Sequence, residues 1–499
     1  MGKLHQKLTS GSLLARNTVY NLLGNGLPLL VGVVAVPLLV DALGTERFGI
    51  LTIIWMAIGY FSLFDFGLGR ALAKFVAGRL GSGRHEEIPA LVGTALSVMA
   101  VLGVAAAILI GALAPWLVYD VLNVPAELHV ETLTAMRWLA VALPFVIMTA
   151  GLIGILQAHQ YFGWVSAVRA PLGVFNFLGP LIALQIVDSL AIVTIALAAV
   201  RVAAWCAYGT FVAKTLPHGG KSLEFEKGLL GELLSFGGWL TVSNVIGPFM
   251  VYFDRFLIGA VLTMSAVAYY TTPYDVVTRL WMLPSTLIAV LFPALSTALQ
   301  SDEKRAAQLF QQAGFVVMTA TFPILLGIAF FAPEGLKLWL GADFAENSAP
   351  VLRLLAVGVF INSIARIPSA LLQSHGRADL NAKVHLIELP VYLLVLWVCV
   401  TQWGIIGAAV AWVARIGADT LALFLLSRHI FPKVDSATRT VLLNMTVCSA
   451  AFMMVFVSAS IAWKTVLYVA VVVVFCTLMW RPMRPVLVPL IRKFKYAVS

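Results

Sequence analysis

The sequence contains very little charge. Asp, Glu, Lys and Arg together make up 11% of its 499 residues, whereas a typical soluble domain has roughly 25%. Because 61% of the residues are hydrophobic, too few polar side chains remain to cover a surface that faces water. The composition therefore excludes a water-soluble protein and indicates an integral membrane protein.

The sequence also lacks a hydrophilic stretch of domain size. The longest connection between apolar segments on the side with few basic residues runs from about Ala332 to Pro350. A membrane enzyme such as a glycosyltransferase is expected to carry a sizeable catalytic region outside the membrane. We therefore predict that the protein is not an enzyme and that its function resides within the membrane.

Cysteine is scarce, and the few cysteines have no metal-ligand spacing. They all fall inside apolar segments: Cys206, Cys399, Cys448 and Cys476. We predict that they pack between helices and that the protein has no metal site and no cofactor. The formal net charge of +10 is attributed to membrane orientation rather than to nucleic acid, because no soluble domain accompanies it.

Apolar segments long enough to cross about 30 Å of hydrocarbon as helix recur along the whole chain. The two-residue alternation of outer-membrane strands is absent, which excludes a β-barrel. The pattern predicts an all-α integral membrane protein with about fourteen transmembrane helices. The predicted spans lie near 17–40, 48–68, 89–117, 132–156, 166–187, 190–213, 233–258, 266–297, 308–332, 350–372, 384–401, 404–427, 440–461 and 465–481.

Lys and Arg residues sort the connections between these spans into two alternating sets. One set holds 23 of them, and the other holds only Arg47, Lys337 and Lys464. Basic residues are enriched in cytoplasmic connections. The distribution predicts that both termini are cytoplasmic.

Short matches between the two halves of the chain indicate an internal repeat. Residues 156–159 (LQAH) match 372–375 (LQSH), Asn25 matches Asn244, and Arg201 matches Arg415, in consistent order. We predict two six-helix lobes in the same orientation, a plan that places a substrate between them. The predicted lobes cover residues 1–215 and 229–430, and two accessory helices with a basic cytoplasmic tail cover 438–499.

Seven arginines lie inside predicted helices, where a charge normally faces a cavity or a partner. Arg201 and Arg366 have no acidic residue three or four positions away, so they are the leading candidates to bind an anionic group through the guanidinium fork. Arg279 with Asp275 and Arg415 with Asp419 have helical spacing, which leaves internal neutralisation open as the alternative. The predicted cationic site comprises Arg201, Arg366, Arg415, Arg279, Arg255 and Arg70.

Intramembrane acids are candidates for coupling transport to a proton, a sodium ion or the membrane potential, or for gating. Asp65 and Asp254 lie near helix ends, where a capping or anchoring role is the alternative. Glu388 precedes Pro390, and a proline kink would expose backbone carbonyls beside it. The candidate set is Asp65, Asp254, Asp275, Glu388 and Asp419.

Six stretches, spread over both halves, carry a resemblance to a known family. They are RNTVYNLLGNGLPLL (16–30), LGTERFGILTI (43–53), FDFGLGRALAKFVA (64–77), YFDRFLIG (252–259), LFPALS (291–296) and GIIGAAVAWVAR (404–415). They resemble the polysaccharide transport family of oligosaccharide flippases, often called Wzx-type, within the multidrug/oligosaccharidyl-lipid/polysaccharide exporter superfamily. Of the candidate residues in these stretches, Asp65, Arg70, Asp254 and Arg255 match family positions, whereas Arg415 rests on the charge argument alone.

The resemblance implies a function in the bacterial inner membrane. The expected substrate is an undecaprenyl-diphosphate-linked oligosaccharide repeat unit, moved to the periplasmic leaflet by alternating access for O-antigen, capsule or exopolysaccharide assembly. Polysaccharide polymerase or chain-length proteins are the expected partners. A lipid II flippase and a multidrug exporter of the same superfamily remain the alternatives, although the excess of helical arginines over helical acids weighs against the exporter.

Overall fold

The computed structural model describes the backbone of residues 11–65, 67–216, 224–456 and 460–498. Its description of side chains leaves out residues 11–25, 232, 234–247, 289–290, 293, 300–301, 378, 481, 483 and 485–498. The predicted match of Asn25 with Asn244 and most of the predicted basic tail therefore lie outside the described side chains. Every regular element in the described ranges is helical, which confirms the predicted all-α class.

Chain contacts divide the protein into two compact units, Met1–Ala268 and Tyr269–Ser499. The predicted lobe boundaries at residues 215 and 229 are not tested by this division and stay a prediction. The first unit contains α1 Gly11–Phe61, α2 Leu68–Gly81, α3 Ile88–Trp116, α4 His129–Ala158, α5 Phe162–Leu184, α6 Leu190–Ala213 and α7 Lys227–Val261. The unit boundary falls within α8, Met264–Thr278. The second unit continues with α9 Met282–Ser301, α10 Glu303–Phe330, α11 Ala332–Leu340, α12 Ala342–Ser374, α13 Ala378–Ile430, α14 Asp435–Ala451 and α15 Ile461–Val498.

Ten helical stretches of the described chain are long and apolar enough to cross a membrane. Many of their outward side chains are apolar as well; Val101 and Leu394, for example, are 69% and 63% exposed. Such surfaces suit contact with lipid rather than water. The protein is thus a multi-pass membrane protein, and the number fourteen stays a prediction.

Two of the long helices are each interrupted at one glycine. α1 breaks at Gly44, with φ 72° and ψ 166°, and α13 breaks at Gly404, with φ 57° and ψ −139°. These backbone angles are accessible to glycine and costly for other residues. Each of these helices therefore contains two helical segments joined without a loop, where the sequence predicted two spans and a short connection.

The span predicted near 266–297 is also interrupted. A 3-10 turn, Arg279–Trp281, separates α8 from α9. Pro284 follows that turn, and a proline inside a helix both lacks an N–H donor and clashes with the carbonyl four residues earlier. The carbonyl in question belongs to Leu280, so the proline accounts for the position of the break.

The LQAH and LQSH repeat occupies equivalent positions in the fold. α4 ends at Ala158 and α12 at Ser374, and the next residue caps each helix. Gln160 and Gly376 then adopt positive φ. The following amides close the same turn, Tyr161 to the Leu156 carbonyl and Arg377 to the Leu372 carbonyl, each at 2.9 Å. This shared helix end supports the predicted relation between the two halves.

Candidate functional site

Arg366, in the middle of α12, is the best-defined cationic side chain of the second unit. Its guanidinium carbon lies 5.4 Å from the centre of the Trp281 ring, and its Nη1 donates to Ser285 Oγ at 3.2 Å. Its Nε is buried without a hydrogen-bond partner among the described residues. No described acid lies within ion-pair distance, so the guanidinium is oriented but keeps its charge and an open donor.

A cluster of aromatic side chains packs around Trp281, the ring that Arg366 contacts. Trp281 and the fully buried Trp412 have ring centres 6.4 Å apart, and Tyr274 meets Trp412 edge to face at 5.5 Å. Gly358 of α12 allows this helix to approach Trp412 of α13 closely, because a Cβ at Gly358 would lie 2.2 Å from Cζ3 of Trp412. The orientation of Arg366 thus depends on packing between three helices and the 3-10 turn.

Arg415 lies on the second segment of α13, three residues after Trp412. Its guanidinium carbon stands 5.1 Å from the ring centre of Tyr392, which belongs to the first segment of the same helix. Cation–π contacts of this kind are strongest where water is excluded. The break at Gly404 brings the two segments together and thereby forms this contact.

Asp419 is one helical turn beyond Arg415, and the sequence left their mutual neutralisation open. The structure also places His385 beside Asp419, with His385 Nε2 3.7 Å from Asp419 Oδ1. Both oxygens of Glu388 are buried without hydrogen-bond partners among the described residues. Arg415 interacts electrostatically with Glu388, Asp419 and His385.

His385 was not among the predicted site residues. It precedes Glu388 by three positions, so both lie on one face of α13. That spacing was visible in the sequence. Its relation to Asp419 was not, because the two residues come from different helical segments.

Arg201 is the corresponding cation of the first unit. It lies on α6 and donates from Nη2 to Asn176 Oδ1 on α5 at 2.7 Å. No acid of the described chain lies within ion-pair distance of it. Arg201 and Arg415, which the sequence matched as repeat partners, thus each contact a side chain on the preceding helical segment.

The other predicted arginines of the cationic site, and the acids near them, differ in how deeply they are buried. Arg255 is 4% exposed and stacks over Tyr252 at 5.5 Å, and the neighbouring Asp254 is fully buried. Both residues thus lie within the protein, and their roles in binding, coupling or anchoring stay predictions. Arg70 and Arg279 are exposed, and Asp275 is half-buried.

Asp65 receives two backbone hydrogen bonds at the start of α2, from Gly67 and Gly69 at 2.9 Å each. The hydrogen bonds satisfy the orphan amides of a helix N-terminus. The capping alternative therefore explains its position, and a coupling role stays a prediction.

The first unit also contains an apolar cavity of about 290 Å³ that the sequence did not predict. Side chains of α1, α3, α4 and α7 line it, among them Ile53, Tyr60, Ile110, Leu139, Tyr252 and Phe256. Its lining is almost entirely apolar, which suits an apolar group. Hydropathy cannot reveal it, because its walls come from four distant segments.

The described residues contain no group of three or more His, Cys, Asp or Glu side chains arranged to hold a metal ion. Residues 14–299, more than half of the chain, match the family model described as polysaccharide biosynthesis protein. The chain belongs to this family. The family assignment confirms the resemblance inferred from the six sequence stretches.

Similar proteins of known sequence or structure agree with this polysaccharide biosynthesis family assignment. The "Putative O-antigen transporter" of Shigella flexneri is 29% identical over 82% of this chain and 96% of its own length. A multidrug resistance MATE family transporter of the MOP superfamily, in an inward-facing conformation, matches with a TM-score of 0.70 and 16% identity, covering 84% of this chain and 96% of its own. The lipid II flippase MurJ, in an inward closed conformation, matches with a TM-score of 0.66 and 14% identity over 93% and 99%. The two solved structures show the transporter fold alone.

Proposed function

We propose that this member of the polysaccharide biosynthesis family is a flippase for undecaprenyl-diphosphate-linked oligosaccharide repeat units. It resides in the bacterial inner membrane, moves its substrate from the cytoplasmic to the periplasmic leaflet by alternating access, and is not an enzyme. The resulting glycan serves O-antigen, capsule or exopolysaccharide assembly. Polysaccharide polymerase and chain-length proteins are its proposed partners.

The observation that carries this proposal is the state of Arg366. Its charge has no acidic partner in the described part of the chain, and Trp281 and Ser285 fix its orientation. Burying such a cation is costly unless a ligand supplies the counter-charge. A diphosphate does so, because it accepts paired hydrogen bonds from a guanidinium.

Arg201 supports the same conclusion from the first unit. Asn176 orients it through a neutral amide, which leaves the positive charge available to a phosphate. Both arginines would repel the organic cations that a multidrug exporter carries. They would not repel lipid II, because lipid II also presents a diphosphate. The glycan of the substrate must therefore distinguish this function from that of a lipid II flippase.

The experiment uses the purified full-length protein in proteoliposomes. Undecaprenyl-diphosphate-linked N-acetylhexosamine oligosaccharide is incorporated, and a membrane-impermeant lectin reports its transfer between leaflets. We expect transfer of this probe, and weaker or no transfer of lipid II or of an organic cation. Preferential transfer of lipid II, or cation export without lipid transfer, would overturn the proposal.

A further inference from the structure

Glu388 and Asp419 form an acidic pair inside the second unit, on the two segments of α13. Asp419 has a side chain only 8% exposed, and its Oδ1 makes no hydrogen bond in the described part of the protein. Both carboxylate oxygens of Glu388 are likewise buried and make no hydrogen bond with the described residues. The two carboxyl groups are near enough to interact electrostatically. Carboxylate oxygens without hydrogen bonds, from both segments of α13, therefore lie in one site.

The charges around this pair do not balance. Arg415 is the fixed positive charge that acts on both acids, and a neutral His385 adds none. Two ionised carboxylates against one guanidinium leave one negative charge uncompensated. In a medium of low dielectric constant this arrangement is unfavourable, and two neighbouring carboxyl groups relieve it by sharing a proton.

The neighbouring helices do not supply the missing positive charge. α12 and α14 pack on α13. On α12, Arg366 is directed to Trp281 and Ser285. On α14, Asp435 forms ion pairs with Arg439 of the same helix and with Arg428 of α13. Among the described side chains of these helices no second positive charge is directed to the pair, so we infer that a charge from solution compensates it.

We propose that Glu388, Asp419 and His385 form a binding site for a single proton. A proton from water adds to a carboxylate oxygen of the acidic pair, forms an O–H bond, and brings the site with Arg415 to neutrality. His385 has a side chain 38% exposed and is the entry point, since its imidazole can take up a proton and pass it to Asp419 Oδ1. A metal ion is disfavoured, because the three side chains are not arranged to hold one.

The further consequence rests on the proposed flippase function. If one proton moves per transport cycle, a pH difference across the membrane drives glycan lipid between leaflets. One proton per cycle corresponds to a shift of about tenfold in the leaflet ratio for each pH unit.

Proton binding is tested without any glycan lipid, by infrared difference spectroscopy of the full-length protein in lipid nanodiscs during a pH titration. We expect the C=O stretch of a protonated carboxylic acid to disappear as the pH rises and to shift in heavy water. Glu388→Gln and Asp419→Asn should each abolish it or displace its midpoint, and His385→Gln should displace its midpoint. Asp379→Asn is the control and should leave it unchanged, because Asp379 is exposed and paired with Lys383 and Arg377.

A carboxylic acid band unaffected by both Glu388→Gln and Asp419→Asn would overturn the proposal. So would a spectral response of this pair to sodium ions but not to pH. In proteoliposomes, a pH gradient should accelerate wild-type transfer of the glycan lipid, and the Glu388→Gln variant should lose that acceleration. Absence of any transfer with an intact proton band would refute the flippase function and leave the proton site standing.

Discussion

At the scale of single residues, the arginines inside helices fall into two kinds. Arg366 and Arg201 are oriented by neutral groups, a serine, a tryptophan and an asparagine. Arg353, also on α12, contacts the Ala329 carbonyl at 3.4 Å and the Phe456 ring at 5.8 Å, and acts on Glu334 at longer range. In the proposed function, Arg366 and Arg201 keep their charge for a ligand, whereas Arg353 joins helices.

Replacing Arg366 by Ala should therefore weaken binding of the glycan lipid. Loss of one or two hydrogen bonds to a charged group, each about 1.5–3 kcal/mol, predicts at least a tenfold loss of affinity. Arg366→Lys should be intermediate, because lysine keeps the charge and loses the fork. The measurement is binding of undecaprenyl-diphosphate-linked oligosaccharide to variants that insert at normal levels.

Arg353→Ala provides the matched control on the same helix and should change stability more than affinity. The Arg201→Ala, Arg366→Ala double variant should be weaker than either single variant. Wild-type binding and transport by that double variant would assign both arginines to packing alone.

At the scale of helices, glycines set how closely neighbours approach. A Cβ at Gly154 of α4 would lie 2.1 Å from the Gly69 carbonyl oxygen of α2. At Gly179 of α5, by contrast, no atom of the described residues lies within 4 Å of the added Cβ. The same substitution should therefore have opposite effects at the two positions.

Gly154→Ala should lower stability by about 1–3 kcal/mol, because α2 must move away from α4. Gly179→Ala should be neutral or stabilising by up to about 1 kcal/mol, since alanine is the better helix former. Thermal unfolding of both variants in the same detergent measures the difference. Equal stability of the two would contradict the packing between α2 and α4.

The two accessory helices are attached to the rest of the second unit by contacts with α10 and α11. Lys464 Nζ lies 2.7 Å from Glu334 Oε1, Tyr468 donates to the Pro323 carbonyl at 3.2 Å, and the Phe322 and Phe475 rings are 4.5 Å apart. Burial alone would raise the pKa of Glu334, but the Lys464 ammonium outweighs it and the pKa lies below its ordinary value. The ion pair thus stabilises the attachment above the unfolded-state pKa and is lost as the pH falls through the folded-state value.

Lys464→Met should remove this stabilisation and its pH dependence while keeping the apolar contacts. We expect greater protease sensitivity of the connection between α14 and α15 at neutral pH, and no further increase on acidification. Lys337→Met is the control, because Lys337 is a basic residue of the same predicted side that forms no ion pair with the described residues. Unchanged sensitivity at both pH values would show that the aromatic contacts alone hold α15.

The sequence predicted well what depends on neighbours along the chain. Hydropathy located the helices, and helical spacing correctly indicated that Arg201 and Arg366 have no acid within their own turn. It could not show the contact of Asp419 with His385, because that contact depends on how two helical segments fold together at Gly404. It likewise missed the cavity bounded by Tyr60 and Tyr252, whose walls are brought together only by packing.

At the scale of the whole molecule, the few basic residues of the predicted periplasmic side are largely neutralised. Arg47 pairs with Glu131 and Asp188 at 3.1 and 3.0 Å, and Lys464 pairs with Glu334 at 2.7 Å. The 23 Lys and Arg residues of the predicted cytoplasmic connections therefore supply nearly all of the uncompensated positive charge in the connections. That asymmetry should fix the orientation during insertion.

We expect both termini to be cytoplasmic, and reporter fusions at turns of the fold test this. Alkaline phosphatase, which is active only in the periplasm, should be active when fused after Leu262 or Gly341 and inactive after Arg84 or Gly376. A cytoplasm-active fluorescent protein at the same four positions should give the opposite pattern and controls for expression. Reversal at two or more positions would refute the orientation. Because an inverted protein would also carry its substrate in the opposite direction, the same result would reverse the proposed path of the glycan lipid.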